Sequence, residues 1–298
     1  MLGSRLVWPA PAAPPSAGPV SALSRLQKAP RLFCTAYITP DDPGQGGQEH
    51  VVAKYPLALV AQDTRTAFAT WRDRVRRLNP SIALLGYQMV IEETGVPGPG
   101  HDEMRKITAN DAYCVYPGGI VPTVMVPPQP NPLRIFDPRN AEFSQRLLAA
   151  CRAVLRSYPY AGLFLDQCTV YTKAHPFPAV REEMRHALQQ TLLELRAEHP
   201  NIIIVGNSSF HWAGLNGELV EARPDDVASE TQPYPGHTLP NVELVQALLK
   251  DSSDREAVAR QMAVAHAHGA FFGAAVDYQH ALWFDMFDEV VTSGARGS

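Results

Sequence analysis

The sequence predicts a (β/α)8 barrel, and three observations carry that expectation. Eight short apolar runs recur along the 298 residues, near positions 32, 57, 82, 161, 202, 217, 242 and 270. Most are unbroken rather than alternating, as expected of parallel strands buried on both faces. Several of the intervening segments carry apolar residues at helical spacing. Eight such units in a chain of this length fit one barrel. A doubly wound open sheet is the competing architecture. It calls for a glycine-rich phosphate turn after the first strand, and "TPDDPGQGGQ" (39–48) has glycines without the GxGxxG pattern.

Residues 1–30 are rich in Pro, Ala and Ser and predict a flexible N-terminal segment, with the barrel at 31–298. "RLFCTAYI" (31–38) reads as the first strand, ending near Tyr37, and "YPLALVAQ" (55–62) as the second, ending on Gln62. Within 63–80, Phe68, Trp71, Val75 and Leu78 fall on one helical face, and Asn79-Pro80 marks the stop. "SIALLGYQMVIEE" (81–93) is a third strand running out into polar residues. Residues 94–133 hold "GVPGPG" and "VPPQPNP". They predict a long irregular insertion after strand three, of the kind that forms a functional loop or lid.

Asp137 before Pro138 predicts a helix N-cap with proline at the first helical position. That helix places Phe143, Leu147, Cys151 and Leu155 on one face. "GLFLD" (162–166) is the fourth strand. A helix over about 180–199 follows, with Met184, Leu188, Thr191 or Leu192, and Leu195 inward. "NIIIVGNSS" (201–209) and "NGELVEARP" (216–224) are strands five and six. "NVELVQALL" (241–249) reads equally as strand or helix. "DREAVARQMAVAHAHG" (254–269) is a helix with a glycine C-cap. "AFFGAAVDY" (270–278) is the last strand and "ALWFDMFDEVVTSG" (281–294) the last helix.

Composition excludes several functions. Net charge is -4 and the pI about 6.2, with no basic surplus for nucleic acid or anionic lipid. The N-terminus lacks the apolar core of a signal peptide, and no stretch approaches the roughly 20 apolar residues of a membrane span. A cytoplasmic setting is the default expectation, with export by a route not visible in the sequence as the alternative. The four cysteines form no CxxC, so free thiols are expected. His266 and His268 lie two apart on a helix, on different faces, which disfavours a shared metal ion. "GNSS" lacks the second glycine of a serine-hydrolase elbow. No cofactor is expected, and oligomeric state is left open.

In a barrel the active site forms at the carboxyl ends of the strands. Asp166 ends strand four there. Gln62, Gln88, Glu92, Asn207, Glu221 and Asp277 occupy comparable places, joined by the aromatics Tyr37, Tyr87, Trp212, Tyr234 and Tyr278. A ring of carboxylates with aromatic platforms suits glycoside hydrolysis. One carboxylate meets the oxocarbenium-like centre and a second, protonated, donates to the leaving oxygen.

"GLFLDQ", followed 55 residues later by the glutamate of "NGELVEARP", resembles the endo-α-1,4-polygalactosaminidase family and related glycosidase-like barrels. "YPLALVAQ" and "NPSIALLGYQ" extend the resemblance over residues 31 to about 290. It implies a glycosidase acting on an oligo- or polysaccharide, amino-sugar polymers among them, with Asp166 as nucleophile or charge stabiliser and Glu221 as general acid/base. Other roles stay open. Asp166 could be a structural carboxylate, Glu221 could pair with Arg223, Asp277 could brace a loop, and Glu92 and Glu93 could be solvated charges. A barrel that binds carbohydrate without turnover is the functional alternative.

Overall fold

The computed structural model describes residues 19–37, 48–61, 66–91, 98–108, 136–168, 181–207, 212–222, 239–249, 252–276 and 281–294. Eight strands form one parallel sheet in sequence order: β1 (Phe33–Ala36), β2 (Leu57–Val60), β3 (Ala83–Met89), β4 (Gly162–Asp166), β5 (Ile203–Asn207), β6 (Gly217–Ala222), β7 (Leu244–Leu248) and β8 (Phe271–Ala275). A parallel bridge from Leu32 to Phe272 joins β8 back to β1 and closes the barrel. Arg31 braces this seam through its guanidinium on the Gly269 carbonyl at 2.8 Å, and His266 Nε2 meets the Arg31 carbonyl at 2.9 Å. His266 therefore serves the barrel seam.

Helices α1 (Pro19–Lys28), α2 (Gln48–Val52), α3 (Thr66–Leu78), α4 (Pro99–Thr108), α5 (Ala141–Ser157), α6 (Arg181–Glu198), α7 (Arg255–Ala267) and α8 (Asp285–Gly294) complete the described elements. The segment 241–249 resolves as strand β7, because Leu244 and Val245 bury opposite faces of the sheet. None of the described helices is long and apolar enough to cross a membrane.

Four expectations need correction. The flexible N-terminal segment does not reach residue 30, because 19–28 form α1. Leu26 (2% exposed) packs with the side chains that fill the barrel interior, so α1 lies across the amino end of the barrel. The insertion after β3 is not irregular throughout, because α4 occupies 99–108 and packs on α5. Pro99 begins α4 where its missing N–H costs nothing, and Met104 is buried. The cap of α5 is Asn140, whose side chain accepts from the Glu142 N–H at 2.9 Å. Asp137 instead binds the Arg139 backbone and guanidinium. Leu78 is 48% exposed, whereas Phe68, Trp71 and Val75 of the expected face are buried, and Arg72 is buried with them, its guanidinium over the Phe68, Tyr158 and Tyr160 rings.

The register sets the height of every interior side chain. Followed from Ala36 through Val60, Gly86, Leu163 and Ile204, it continues to Asn216 and closes on the line of Lys28, eight residues back. This is the stagger of an eight-stranded (β/α)8 barrel, in which alternate strands fill each interior layer. Residues at one height thus advance one position per strand. Phe33, Leu59, Leu85, Phe164, Val205, Leu219 and Leu244 pack together inside. Cys34, Val60, Leu84, Leu165, Ile204, Val220 and Val245 face the helices.

Candidate active site

Strand alternation carries Thr35, Tyr87, Asp166, Asn207, Glu221 and Gln246 to the interior, above that apolar floor. The stagger places Thr35, Tyr87, Asn207 and Gln246, all from odd strands, in one layer. Asp166 and Glu221, from β4 and β6, lie together in the next layer toward the carboxyl mouth. The remaining two positions at that height are Ala61 and Ala275. Two carboxylates therefore share a height at the open end of the barrel, where the apolar strand β4 ends on Asp166.

Asp166 is held by donors. Tyr87 Oη donates to Oδ2 at 2.7 Å, and Asn207 Nδ2 donates to Oδ1 at 2.8 Å. The Gln167 N–H donates to the same Oδ1 at 2.8 Å. Converging donors suit an acceptor-only carboxylate. Gln167 turns the chain in the left-handed region at φ 51°, a conformation unusual for a side-chain-bearing residue and concentrated at functional sites. Tyr37 lies edge-on to Tyr87 at 5.3 Å and stacks over Phe164 at 6.4 Å, which places two aromatic rings beside Asp166.

Glu221 is exposed at the end of β6 and in register with Gln246 of β7. Its strand is fixed from the amino end. Arg196 of α6 donates to the Gly214 and Ile202 carbonyls and to Asn216 Oδ1 at 3.0, 2.6 and 2.7 Å. Asn216 Oδ1 also accepts from the Ile204 N–H at 2.9 Å, and its Nδ2 reaches the Pro240 carbonyl at 3.1 Å. This node ties β5, β6 and the entry to β7. Burial lowers the Arg196 pKa to about 10, so the guanidinium stays charged at neutral pH.

Several expected site residues lie elsewhere. Gln88 faces the helices, between the inward Tyr87 and Met89, and its amide binds the Met89 carbonyl. Its even position in β3 sends it outward. Trp212 is buried in the outer core, because it precedes β6 beneath the helical layer. Gln62, Glu92, Tyr234, Asp277 and Tyr278 lie outside the described residues, as do Arg223 and Cys114. Among the described residues no cluster of three or more His, Cys, Asp or Glu could hold a metal ion. Cys34, Cys151 and Cys168 are buried free thiols, and burial pushes Cys151 up to about 12.

Two features escaped the sequence. Gln246 Nε2 donates to Thr35 Oγ1 at 2.9 Å, spanning β8 where Gly273 has no side chain. A Cβ on Gly273 would lie 2.9 Å from the Phe33 ring. The signal was a lone glutamine in "LVQAL", legible only once that segment is a strand. The second is a pair of buried acids on the outer face of β6 and β7, Glu218 (6% exposed) and Glu243 (4% exposed). Burial, reinforced by the Glu218 charge, raises the Glu243 pKa to about 8.

A barrel of this stagger with paired carboxylates at its mouth belongs to a class of fold used by glycoside hydrolases. Solved structures bear this out at the level of fold. The glycoside hydrolase domain of PelA from Pseudomonas aeruginosa aligns with a TM-score of 0.54 at 16% identity, over 84% of this chain and 95% of that one. The α-galactosidase TtGalA from Thermus thermophilus aligns at 0.58 and 15% identity, over 90% of this chain and 62% of that one. The galactosidase domain of the α-galactosidase-sucrose kinase AgaSK aligns at 0.54 and 11%, over 93% and 44%. No protein-family model and no curated protein matches the chain.

Proposed function

We propose that the protein is a glycoside hydrolase that cleaves a polysaccharide with Asp166 as the ionised carboxylate and Glu221 as the proton donor. The observation that carries this reading is the shared height of the two residues at the carboxyl mouth. Asp166 is oriented by Tyr87, Asn207 and the Gln167 amide, so its oxygens stay fixed as charge develops at the anomeric carbon. Glu221 stands at the rim, where a leaving oxygen would exit. It gives up its proton as the glycosidic bond breaks, then draws one from the incoming water. The Tyr37 ring, partly exposed and edge-on to Tyr87, supplies apolar surface for a sugar face.

The family resemblance makes amino-sugar polymers the first substrates to test. Purified protein incubated with a panel of polysaccharides, with products read by mass spectrometry, should release oligosaccharides from at least one. Asp166→Asn should release none from it. NMR of the first-formed anomer then decides between retention and inversion, which correspond to carboxyl separations of about 5–5.5 and about 6.5–9.5 Å. If every polymer is bound and none is cleaved, the barrel is a carbohydrate-binding protein and the hydrolase reading falls.

A further inference from the structure

The interior layer beneath the two carboxylates is divided. Tyr87 and Asn207 flank Asp166 and bind it. Asn207 and Gln246 flank Glu221 in the same way, on β5 and β7. Gln246 is 1% exposed and pinned by Thr35, and its Oε1 is buried with no hydrogen-bond partner among the described residues. A buried amide oxygen without a donor is costly. Such groups persist where something supplies the donor.

We propose that Gln246 is a positioning residue for Glu221, its amide oxygen accepting the O–H of the protonated carboxyl group. The inference rests on the reading of Glu221 as the acid. An amide oxygen can accept from a neutral carboxyl group and repels a carboxylate, so the contact holds the proton on Glu221. Thr35 Oγ1 accepts from Nε2, which leaves Oε1 as the amide atom available to accept from Glu221. Gly273, the register partner of Gln246, carries no side chain there, and the Phe33 ring fills its place. Each carboxylate then has partners suited to its task. Asp166 meets three donors, and Glu221 meets an acceptor for its proton.

The titratable groups that face Glu221 from the described elements are Asp166 on β4, with Tyr87 on β3 and Tyr37 after β1 behind it; Asn207, Gln246 and Ala275 on β5, β7 and β8 do not titrate. The Asp166 charge also favours neutral Glu221, and it is present in every variant below. The test is carboxyl ¹³C NMR of the full chain, with Glu221 assigned through Glu221→Gln. In the unchanged protein the Glu221 midpoint should lie above the ordinary glutamate value of about 4.3. Gln246→Leu should lower it by about one unit, and Thr35→Val should lower it less. A midpoint that moves by under about 0.2 units in the variants overturns the proposal. A starting midpoint at or below the ordinary value also overturns it, and needs no variant to fold. The titration is read without substrate, so inactivity on every polymer would count against the hydrolase reading alone. With an active substrate, the alkaline limb of the kcat/KM profile should move to lower pH in Gln246→Leu, which a merely structural defect would not do.

Discussion

β6 carries one glutamate on each face, and the two faces differ in every respect that governs reactivity. Glu221 faces the barrel interior at the carboxyl mouth, exposed and level with Asp166. Glu218 faces the helical layer, buried beside Glu243 of the next strand. The outer pair is a like-charge pair out of water. Its members cannot both ionise cheaply, so Glu243 retains its proton to about pH 8. The mouth pair has polar partners and access. A raised carboxyl pKa therefore does not by itself mark the acid: burial raises Glu243, which stands where no substrate can reach. Cys168 is buried, and its thiol is pushed up by burial first and then by Cys151, Asp166 and Glu218.

The sharpest test exchanges neutral isosteres at both sites. Asp166→Asn should lower kcat about a thousandfold and Glu221→Gln about 10²–10⁴-fold, measured as initial rates on the active polymer. Glu218→Gln and Glu243→Gln should leave kcat near its starting value. Equal losses at the outer pair would collapse the distinction.

Stability should show the reverse. Glu243 has a folded pKa of about 8 against an ordinary 4.5. A carboxyl group with a raised folded pKa contributes fully below the ordinary value, and its contribution is lost as pH rises toward the folded one. Wild-type stability should therefore fall between pH 4.5 and 8 on this account. Glu243→Gln should remove that component and gain about 2–4 kcal/mol at pH 8, with little change near pH 4.5, in denaturant titrations. A flat wild-type profile with no gain in the variant would mean that the pair is solvated.

The floor of the barrel gives a comparable but pH-independent effect. Leu26→Ala should cost about 2–4 kcal/mol, because α1 buries this side chain against the interior cluster. Removal of residues 1–28 should lower Tm accordingly. An unchanged Tm would show that α1 is not a structural part of the barrel.

The smallest effect is chemical. At pH 8, peptide mapping after brief iodoacetamide treatment should find Cys168 unmodified in the native protein and modified once unfolded. Rapid native labelling would mean that the core around Cys168 opens in the native state.

The strands were legible because burial on both faces leaves unbroken apolar runs, and "GLFLD" and "NIIIVGN" are strands in fact. "NVELVQALL" was ambiguous for a physical reason. Five residues are too few to distinguish a period of 2 from 3.6, and the length argument fails when a run is flanked by more apolar residues. The same ambiguity hid Gln246. Asn140 outcompeted Asp137 as a cap because Arg139 engages the Asp137 carboxylate. α1 was hidden because a Pro- and Ala-rich composition describes its neighbours better than its own Leu23 and Leu26.

By itself the sequence determined most of the strand segments, and that a carboxylate ends the fourth and another the sixth. These are local properties, set by hydrophobic runs and residue types. Only the tertiary structure decided which face each polar residue takes and what lies beside it. Gln88 went outward while Tyr87 went inward, and Glu218 was buried while Glu221 reached the mouth. Thr35 met Gln246 across 211 positions of sequence. Those outcomes depend on a stagger of eight residues around a closed sheet. That stagger is a property of the circuit as a whole, and no single strand encodes it.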